Sequence, residues 1–372
     1  MMTNLDQRLR DIVGAFKVSG EYVSAARWGS GHINDSYLVT LRQSRTDAQY
    51  LLQRINDRVF ADVPALMENI RRVCDHLHAG LRAQGCRDSS RRALTLVPTR
   101  AGQDFHRDDA GYWRLQTFIA GATAYDVVLN EAHAFEAARA FGEFQRLVAD
   151  LPGGPLKQTI ADFHNTAVRY AELERAIETD PRGRATSAAQ DISFVRARAG
   201  LCNALLDRQR AGLLPARTIH NDTKVNNVLI DNATGKAICV VDLDTLMPGL
   251  VPYDFGDLAR TASSPVAEDE PDLSRVEFRA GVFAALARGF VEGAHETLWP
   301  EEIAAFPLGA KAMTLEQAMR FLTDFLLGDL YFPTRRPRHN LDRCRTQLKL
   351  LACMEEQENA MARCTMQAMR DK

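Results

Sequence analysis

Short apolar runs separated by turn residues dominate the first third of the chain. They lie at residues 37–39, 50–52, 94–97 and 112–119, with turn residues between them, as at 109–111. Such runs predict β-strands. Between the second and third runs, Leu66, Ile70, Val73 and Leu77 recur at helical spacing, which predicts one helix with one apolar face.

After Gly121, apolar positions recur at helical spacing over long segments. They predict helices at roughly 131–149, 162–178, 187–211, 274–298, 314–331 and 339–369. Strand signals shrink to 228–230 and 238–241, joined across a hairpin turn. We therefore expect an α+β protein with two lobes. Residues 1–119 would form a small lobe with a five-stranded antiparallel sheet and one helix, and residues 120–372 a larger, mostly helical lobe.

The composition is that of a globular protein that binds small molecules. A chain of 372 residues is too long for one compact core, and its 46% hydrophobic and 25% charged residues are ordinary values. The formal net charge of -2 provides no positive field to hold a nucleic acid or an anionic membrane. The oligomeric state stays open.

The chain carries no signal for export or membrane insertion. Charged residues interrupt the apolar positions of the first 17 residues, and no run approaches 18 apolar residues. The seven cysteines form an odd set without a C-x-x-C pair, which is typical of reduced thiols. We expect a cytoplasmic protein.

The strongest chemical signal lies between residues 219 and 242. Asp222 is followed five residues later by Asn227, then by an apolar strand, a hairpin and Asp242 on the next strand. Catalytic loops of kinases use this spacing. The loop can turn Asp222 toward a substrate hydroxyl while Asn227 and Asp242 offer oxygen ligands to Mg²⁺. The alternative is a set of turn-capping residues, which would have to match three positions at once.

Two nearby acidic positions are less specific. Asp244 either ligates the metal or stabilises the following turn. The letters D-F-G at 254–256 match the metal motif of protein kinases, but Asp254 follows a Pro-Gly loop and precedes an apparent helix. We therefore interpret Asp254 and Asp257 as residues that start a helix or brace a loop.

The segment resembles the H-x-D-x-x-x-x-N loop and metal Asp of the aminoglycoside phosphotransferase and choline kinase superfamily. Within that superfamily it is most similar to bacterial N-acetylhexosamine 1-kinases, in the stretches 220–227, 241–249, 253–257, 321–332 and 339–347. The resemblance implies a protein-kinase-like fold that uses ATP and Mg²⁺. It also implies Asp222 as catalytic base and Asn227 and Asp242 as metal ligands.

Phosphate contacts are expected in the first lobe. Gly29 and Gly31 precede an apolar strand, where backbone N–H groups can approach ATP phosphates. The strand that carries a phosphate-binding lysine in protein kinases has no lysine at 50–56. Arg54 is the expected substitute and Glu68 its expected partner; the alternative is a solvated surface pair.

The resemblance also implies an adenine site and an acceptor pocket. Gln116 and Phe118 resemble the hinge where such kinases hold adenine through backbone groups, although an ordinary strand is the simpler interpretation. The acceptor pocket would lie in the helical lobe, bordered in part by 162–166 and Arg169. Its candidates, each of which could instead be a structural residue, are Arg320, Asp324, Asp329, Tyr331, His339, Asn340, Arg343 and Arg345.

The implied acceptor is the anomeric hydroxyl of N-acetylglucosamine or N-acetylgalactosamine, which gives a sugar 1-phosphate. A kinase for another small alcohol, such as a different sugar, an aminoglycoside, choline or homoserine, is the alternative. The arginines at 335, 336 and 338 disfavour a polycationic aminoglycoside. A catalytically silent nucleotide-binding module would be expected to lack the base or a metal ligand, and this chain has all three.

Overall fold

The first lobe is an antiparallel sheet covered by one helix on each face. The computed structural model describes residues 4–29, 33–44 and 46–371. The strand order is β1-β2-β3-β6-β4, with β5 paired to β6, and every pairing is antiparallel. The elements are α1 (Asn4–Gly14), β1 (Glu21–Arg27), β2 (Asp35–Gln43), β3 (Thr46–Ile55), α2 (Val63–Ala83), β4 (Leu96–Val97), β5 (His106–Asp108) and β6 (Gly111–Thr117).

The expected five strands and single helix were too few, since the described part of this lobe has six strands and two helices. Helix α1 was missed because charged residues alternate with its apolar ones. Leu9, Ile12 and Val13 nevertheless recur at helical spacing and are buried, as is Phe16 just after the helix. Strand β5 was missed because His106–Asp108 contains no apolar run.

The two faces of the sheet pack against different elements, so the face on which a side chain lies determines what it can contact. Side chains alternate between faces along a strand. Leu52 of β3 packs in one cluster with Leu9 and Phe16 of the α1 segment. Ile55, three residues later, belongs to the cluster on the other face, with Leu66 of α2. Residues 53 and 55 of β3 therefore face α2 and the second lobe.

The second lobe is mostly helical, with two small sheets of order β10-β9-β7 and β11-β8. Its strands are β7 (Ala122–Ala124), β8 (Arg217–Ile219), β9 (Val228–Asp231), β10 (Ala237–Val240) and β11 (Met247–Gly249). Its helices are α3 (Glu131–Val148), α4 (Thr166–Thr179), α5 (Ala189–Arg196), α6 (Leu201–Arg210), α7 (Val251–Ala262), α8 (Ala280–Ala294), α9 (Pro300–Ala304), α10 (Phe306–Leu327), α11 (His339–Glu356) and α12 (Glu358–Arg370).

The predicted helices are present, but several have different bounds. The helix predicted at 187–211 is broken between α5 and α6, and the one predicted at 339–369 is broken at Gln357. Helix α10 starts at Phe306 and ends where Gly328 adopts a positive φ of 110°, a conformation that glycine adopts without steric cost. None of the described helices combines the length and apolar composition needed to cross a bilayer.

Candidate active site

The loop after β8 brings Asp222 and Asn227 together. The amide nitrogen of Asn227 donates to the backbone oxygen of Asp222 at 2.8 Å and to its carboxylate at 3.1 Å. The His220 ring accepts from the Asp222 N–H at 3.3 Å through Nδ1 and donates to Val241 O at 2.9 Å through Nε2. The loop is therefore tied to the chain segment that carries Asp242.

Asp222 is held in its ionised form. Burial alone raises the pKa of its carboxyl, but the charge and hydrogen bond of Lys224, together with Asn227, outweigh this effect and lower the pKa below its usual value. The Lys224 ammonium lies 2.7 Å from the carboxylate. An ionised carboxylate in a cleft can accept a proton from a hydroxyl group. Sequence spacing gave no role to Lys224.

Asp242 lies at the start of a short turn and has a positive φ of 60°. Partial desolvation in the cleft, then the carboxylates of Asp244 and Asp222, raise the pKa of Asp242 to about 6. A divalent cation would relieve this excess of negative charge. The Nδ2 of Asn227 is engaged by Asp222, which leaves the amide oxygen available to a cation. These donors fit Mg²⁺, which takes few protein ligands besides phosphate oxygens and water.

Over the described ranges, no group of three or more His, Cys, Asp and Glu side chains is arranged to hold a metal ion. The predicted ligands Asn227, Asp242 and Asp244 include only two carboxylates, so they would not form a group of that kind. The third of these ligands, Asp244, is engaged elsewhere. One carboxylate oxygen of Asp244 accepts from Asn34 at 2.5 Å and the other from Arg114.

Arg114 and Asp244 form a buried ion pair between the two lobes. Each residue is 3% exposed. Burial alone lowers the pKa of Arg114, but the carboxylates of Asp244 and Asp242 raise it above its usual value. The Nε of Arg114 also donates to Gln53 Oε1 at 3.0 Å. No local spacing pointed to this pair, because 130 residues separate its members.

Asp254 braces the catalytic loop, as predicted. Its carboxylate accepts from the backbone N–H groups of His220 at 2.8 Å and Asn221 at 2.7 Å. Phe255 stacks on Phe306 at 3.9 Å. A Cβ on Gly256 would lie 2.4 Å from a backbone oxygen of α10, so only glycine fits. The three letters D-F-G thus serve loop support and helix packing.

A buried His–Glu pair supports the same loop from the other side. His164 Nδ1 lies 2.8 Å from a Glu316 carboxylate oxygen, and its Nε2 lies 2.8 Å from Asn221 O. Both neighbours are acceptors, so the ring satisfies both when it is protonated. Burial opposes the charge, but Glu316 raises the pKa of His164, and His164 lowers the pKa of Glu316. Asn221, held in this way, has a positive φ of 65°.

The predicted Arg54–Glu68 pair is wrong. Arg54 Nε donates to Ala110 O at 2.7 Å, and its Nη1 lies 3.5 Å from Asp35. Glu68 pairs with Lys157 at 2.5 Å. Arg54 shares its sheet face with Leu52, which α1 covers, because residues two apart on a strand point the same way.

Of the other predicted nucleotide contacts, Gln116 lies on the same face of the sheet as Gln53. Gly29 has a positive φ of 80° and open space around it, whereas Gly31 is outside the described residues. Gln116 is buried beside Gln53. The Phe118 N–H donates to Gln49 O at 3.1 Å, and its ring meets Trp28 edge-on at 5.2 Å. Contacts of these residues with a nucleotide stay a prediction.

Most of the predicted acceptor residues make internal contacts. Asp324 accepts from the backbone N–H groups of 330–332 and from Asn340 Nδ2. Asp329 accepts from Asn340 at 2.9 Å and Arg184 at 2.6 Å. These two carboxylates therefore fold the turn that follows α10. A sugar contact would have to share or replace their hydrogen bonds.

The basic residues predicted for the acceptor pocket fall into two groups, those that bond other residues of the lobe and one that lies near the surface. Arg345 pairs with Asp191 at 3.0 Å, and Arg343 donates to Pro333 O at 3.1 Å. His339 pairs with Asp269 at 2.7 Å. By contrast, Arg320 lies over the ring of Tyr331, which is 62% exposed. Arg320 and Tyr331 thus present a cation and an aromatic ring near the surface, and their acceptor role stays a prediction.

Comparisons with known proteins identify the family and the fold. A sequence model of the phosphotransferase enzyme family matches residues 24–298. An aminoglycoside phosphotransferase from Alicyclobacillus acidocaldarius is 14% identical, with a TM-score of 0.61, and covers 97% of this chain and 96% of its own. A choline/ethanolamine kinase family protein from Mesorhizobium loti is 18% identical, with a TM-score of 0.56, over 97% and 99%. A spectinomycin phosphotransferase bound to ADP and spectinomycin is 10% identical, with a TM-score of 0.52, over 92% and 98%.

Proposed function

The chain belongs to the phosphotransferase enzyme family, and from that premise we propose that it phosphorylates the anomeric hydroxyl of N-acetylglucosamine or N-acetylgalactosamine. It is a small-molecule kinase with a protein-kinase-like fold. The observation that carries the proposal is the geometry of the catalytic loop, where the Asp222 carboxylate accepts from Asn227 at 3.1 Å and lies 2.7 Å from the Lys224 ammonium. The choice of sugar rests on the resemblance of the stretches 220–257 and 321–347 to N-acetylhexosamine 1-kinases.

ATP is the proposed phosphoryl donor and Mg²⁺ its proposed metal. The spectinomycin phosphotransferase with a similar fold binds ADP, which supports an adenine nucleotide. Asn227 and Asp242 would hold the metal, and the metal would neutralise charge on the transferred phosphoryl group. Asp244, already bonded to Arg114 and Asn34, would act at most indirectly.

In the proposed reaction, Asp222 orients the acceptor hydroxyl and accepts its proton. The acceptor oxygen forms a bond to the γ-phosphorus as the bond from that phosphorus to the β,γ-bridging oxygen breaks, and ADP leaves. Lys224, 2.7 Å from the Asp222 carboxylate, keeps that carboxylate ionised before the reaction. Because little covalent chemistry falls to the protein, positioning and electrostatics provide most of the rate enhancement.

A kinase for choline or an aminoglycoside is the second candidate, because solved structures with those descriptions share the fold. Both acceptors are cations. The surface near the end of α10 carries Arg320, Arg335 and Arg338, which would repel them. A neutral acetamido sugar meets no such repulsion, and its amide carbonyl can accept from an arginine.

A coupled assay of ADP release tests the acceptor. The panel is N-acetylglucosamine, N-acetylgalactosamine, glucose, galactose, choline, homoserine and kanamycin. We expect the two N-acetyl sugars to exceed glucose and galactose in kcat/KM by at least about tenfold, because a pocket built for the amide leaves polar groups unpaired without it. The product should give no reducing-sugar reaction. A reducing product, or faster turnover of choline or kanamycin, contradicts the proposal.

A further inference from the structure

The cleft face of the sheet has a glutamine where kinases of this fold place a lysine. Strand β3 (Thr46–Ile55) contains no lysine, although the phosphates of a bound nucleotide need a cation near this strand. The side chain of Gln53 faces the second lobe, and that of Arg54 faces the opposite side, with Leu52. A shift of one residue along a strand moves a side chain to the other face.

Arg54 is therefore poorly placed for the phosphates. Its cross-strand neighbour is Trp113, which packs in the cluster that α1 covers. Its Nε donates to Ala110 O, and its Nη1 lies 3.5 Å from Asp35. The Arg54 side chain therefore starts from the face opposite to that of Gln53 and Arg114.

Arg114 of β6 provides a cation on the correct face. It pairs in register with Gln53, so the two side chains lie side by side. Its Nε bonds Gln53 and its Nη1 bonds Asp244. Its Nη2 has no hydrogen bond with any residue of the described ranges. A guanidinium has donors for two anionic partners at once, a carboxylate and a phosphate among them.

The position of Asp244 places this cation beside the proposed metal site. Asp244 is two residues after Asp242, on the same short turn. We propose that Arg114 binds the nucleotide phosphates through Nη2 while Nη1 stays on Asp244, and so takes the place of the strand lysine. This inference rests on the proposed use of ATP but not on the identity of the sugar.

Nucleotide binding without metal or acceptor tests the inference. The full-length protein is titrated calorimetrically with ADP and with adenosine in EDTA, so that neither Mg²⁺ nor turnover contributes. Arg114→Gln should weaken ADP binding by at least about tenfold, the scale of one lost charge-assisted hydrogen bond. Adenosine binding should stay within about threefold, because adenosine has no phosphate. Arg114→Lys should recover part of the ADP affinity, since it restores the charge.

Arg54→Gln is the matched comparison, with the same change made on the opposite face of the sheet. It should leave ADP affinity within about threefold of the parent. The inference is overturned if Arg54→Gln loses ADP affinity and Arg114→Gln does not, or if Arg114→Gln loses ADP and adenosine equally. Equal loss would mean that Arg114 supports only the shape of the cleft.

Arg114→Gln leaves Asp244 buried without its cation, so that variant risks unfolding. The double variant Arg114→Gln/Asp244→Asn removes both charges and should show the same selective loss of ADP. Parent-like ADP affinity in the double variant overturns the inference. A parent that binds ADP but phosphorylates no N-acetyl sugar refutes the proposed acceptor alone, whereas a parent that binds no ADP refutes the proposed use of ATP and, with it, this inference.

Discussion

The catalytic loop and the end of α10 are both rich in charged side chains, but their charges are balanced differently. At the loop, desolvation and then the nearby carboxylates of Asp244 and Asp222 raise the pKa of Asp242 to about 6. At the end of α10, Asp324 receives four hydrogen-bond donors from its own surroundings. Excess charge in a cleft is typical of a site that binds a charged partner, whereas full internal pairing is typical of a structural cluster.

This difference bears on the predicted acceptor residues. Resemblance to a family identified Asp324, Asp329 and Asn340 by their positions alone. The structure shows that these three bond one another and the turn at 330–332. Near them, Tyr331 is exposed and lies beside Arg320. A carboxylate and amide cluster that shapes a turn can thus present an aromatic side chain without touching the acceptor itself.

The largest expected effect on turnover comes from a substitution in the catalytic loop. Asp222→Asn should lower kcat by about 10³-fold or more, because the amide cannot accept the proton of the acceptor hydroxyl. ADP affinity should stay within a few fold, since the base acts on the acceptor. Steady-state kinetics and calorimetry on the same preparation measure both quantities. Near-normal turnover would reject Asp222 as the base.

The contact that His164 makes between helix α10 and the catalytic loop provides the next test. His164 joins Glu316 of α10 to Asn221 of the loop. His164→Gln leaves the Glu316 carboxylate buried without its charge partner, and we expect a loss of about 3 kcal/mol in the free energy of unfolding near pH 6. Urea unfolding measures this loss.

The same pair predicts a pH dependence. The folded-state pKa of His164 is raised, so its contribution is fully present below the unfolded pKa of about 6.5 and is lost as pH rises through the folded pKa. The pKa of Glu316 is lowered, so its contribution is lost only in acid. Unfolding free energies between pH 6 and 9 should therefore fall in the parent and fall less in His164→Gln. His76→Gln, which removes a histidine that contacts Asp150 at the surface, is the control and should follow the parent. Parallel curves for the parent and His164→Gln would contradict the ion pair.

The sequence predicted the loop because its geometry is local. Asp222, Asn227 and Asp242 lie within one loop and one hairpin, so their spacing determines their proximity. The pairs Arg114–Asp244 and His164–Glu316 span 130 and 152 residues. Their contacts depend on how the lobes and helices pack, and no spacing rule encodes that.

The wrong prediction of an Arg54–Glu68 pair has a traceable cause. Strand alternation separates Gln53 from Arg54, but it does not tell which of them faces the cleft. That choice follows from α1, which covers the face of Leu52. Helix α1 was not predicted, because charged residues alternate with its apolar ones. Its apolar positions at 9, 12 and 13, with Phe16 just after the helix, were the missing information.

The smallest expected effect is on the Mg²⁺ dependence of turnover, and it distinguishes the Asp242 carboxylate in the cleft from the fully paired Asp324 carboxylate. Asp242→Asn removes a charged ligand from the proposed metal site, so the Mg²⁺ concentration for half-maximal turnover should rise by at least about tenfold. Asp324→Asn is the matched control, because it makes the same change in the fully paired cluster. It should lower the thermal unfolding midpoint and leave the Mg²⁺ titration unchanged, since within the described ranges the Asp324 carboxylate accepts hydrogen bonds from the turn after α10 and from Asn340. Turnover measured across a Mg²⁺ series, together with thermal unfolding of each variant, distinguishes the two. Coincident Mg²⁺ curves for Asp242→Asn and the parent would remove Asp242 from the metal site, and a shifted curve for Asp324→Asn would mean that the cluster at the end of α10 also acts on the metal.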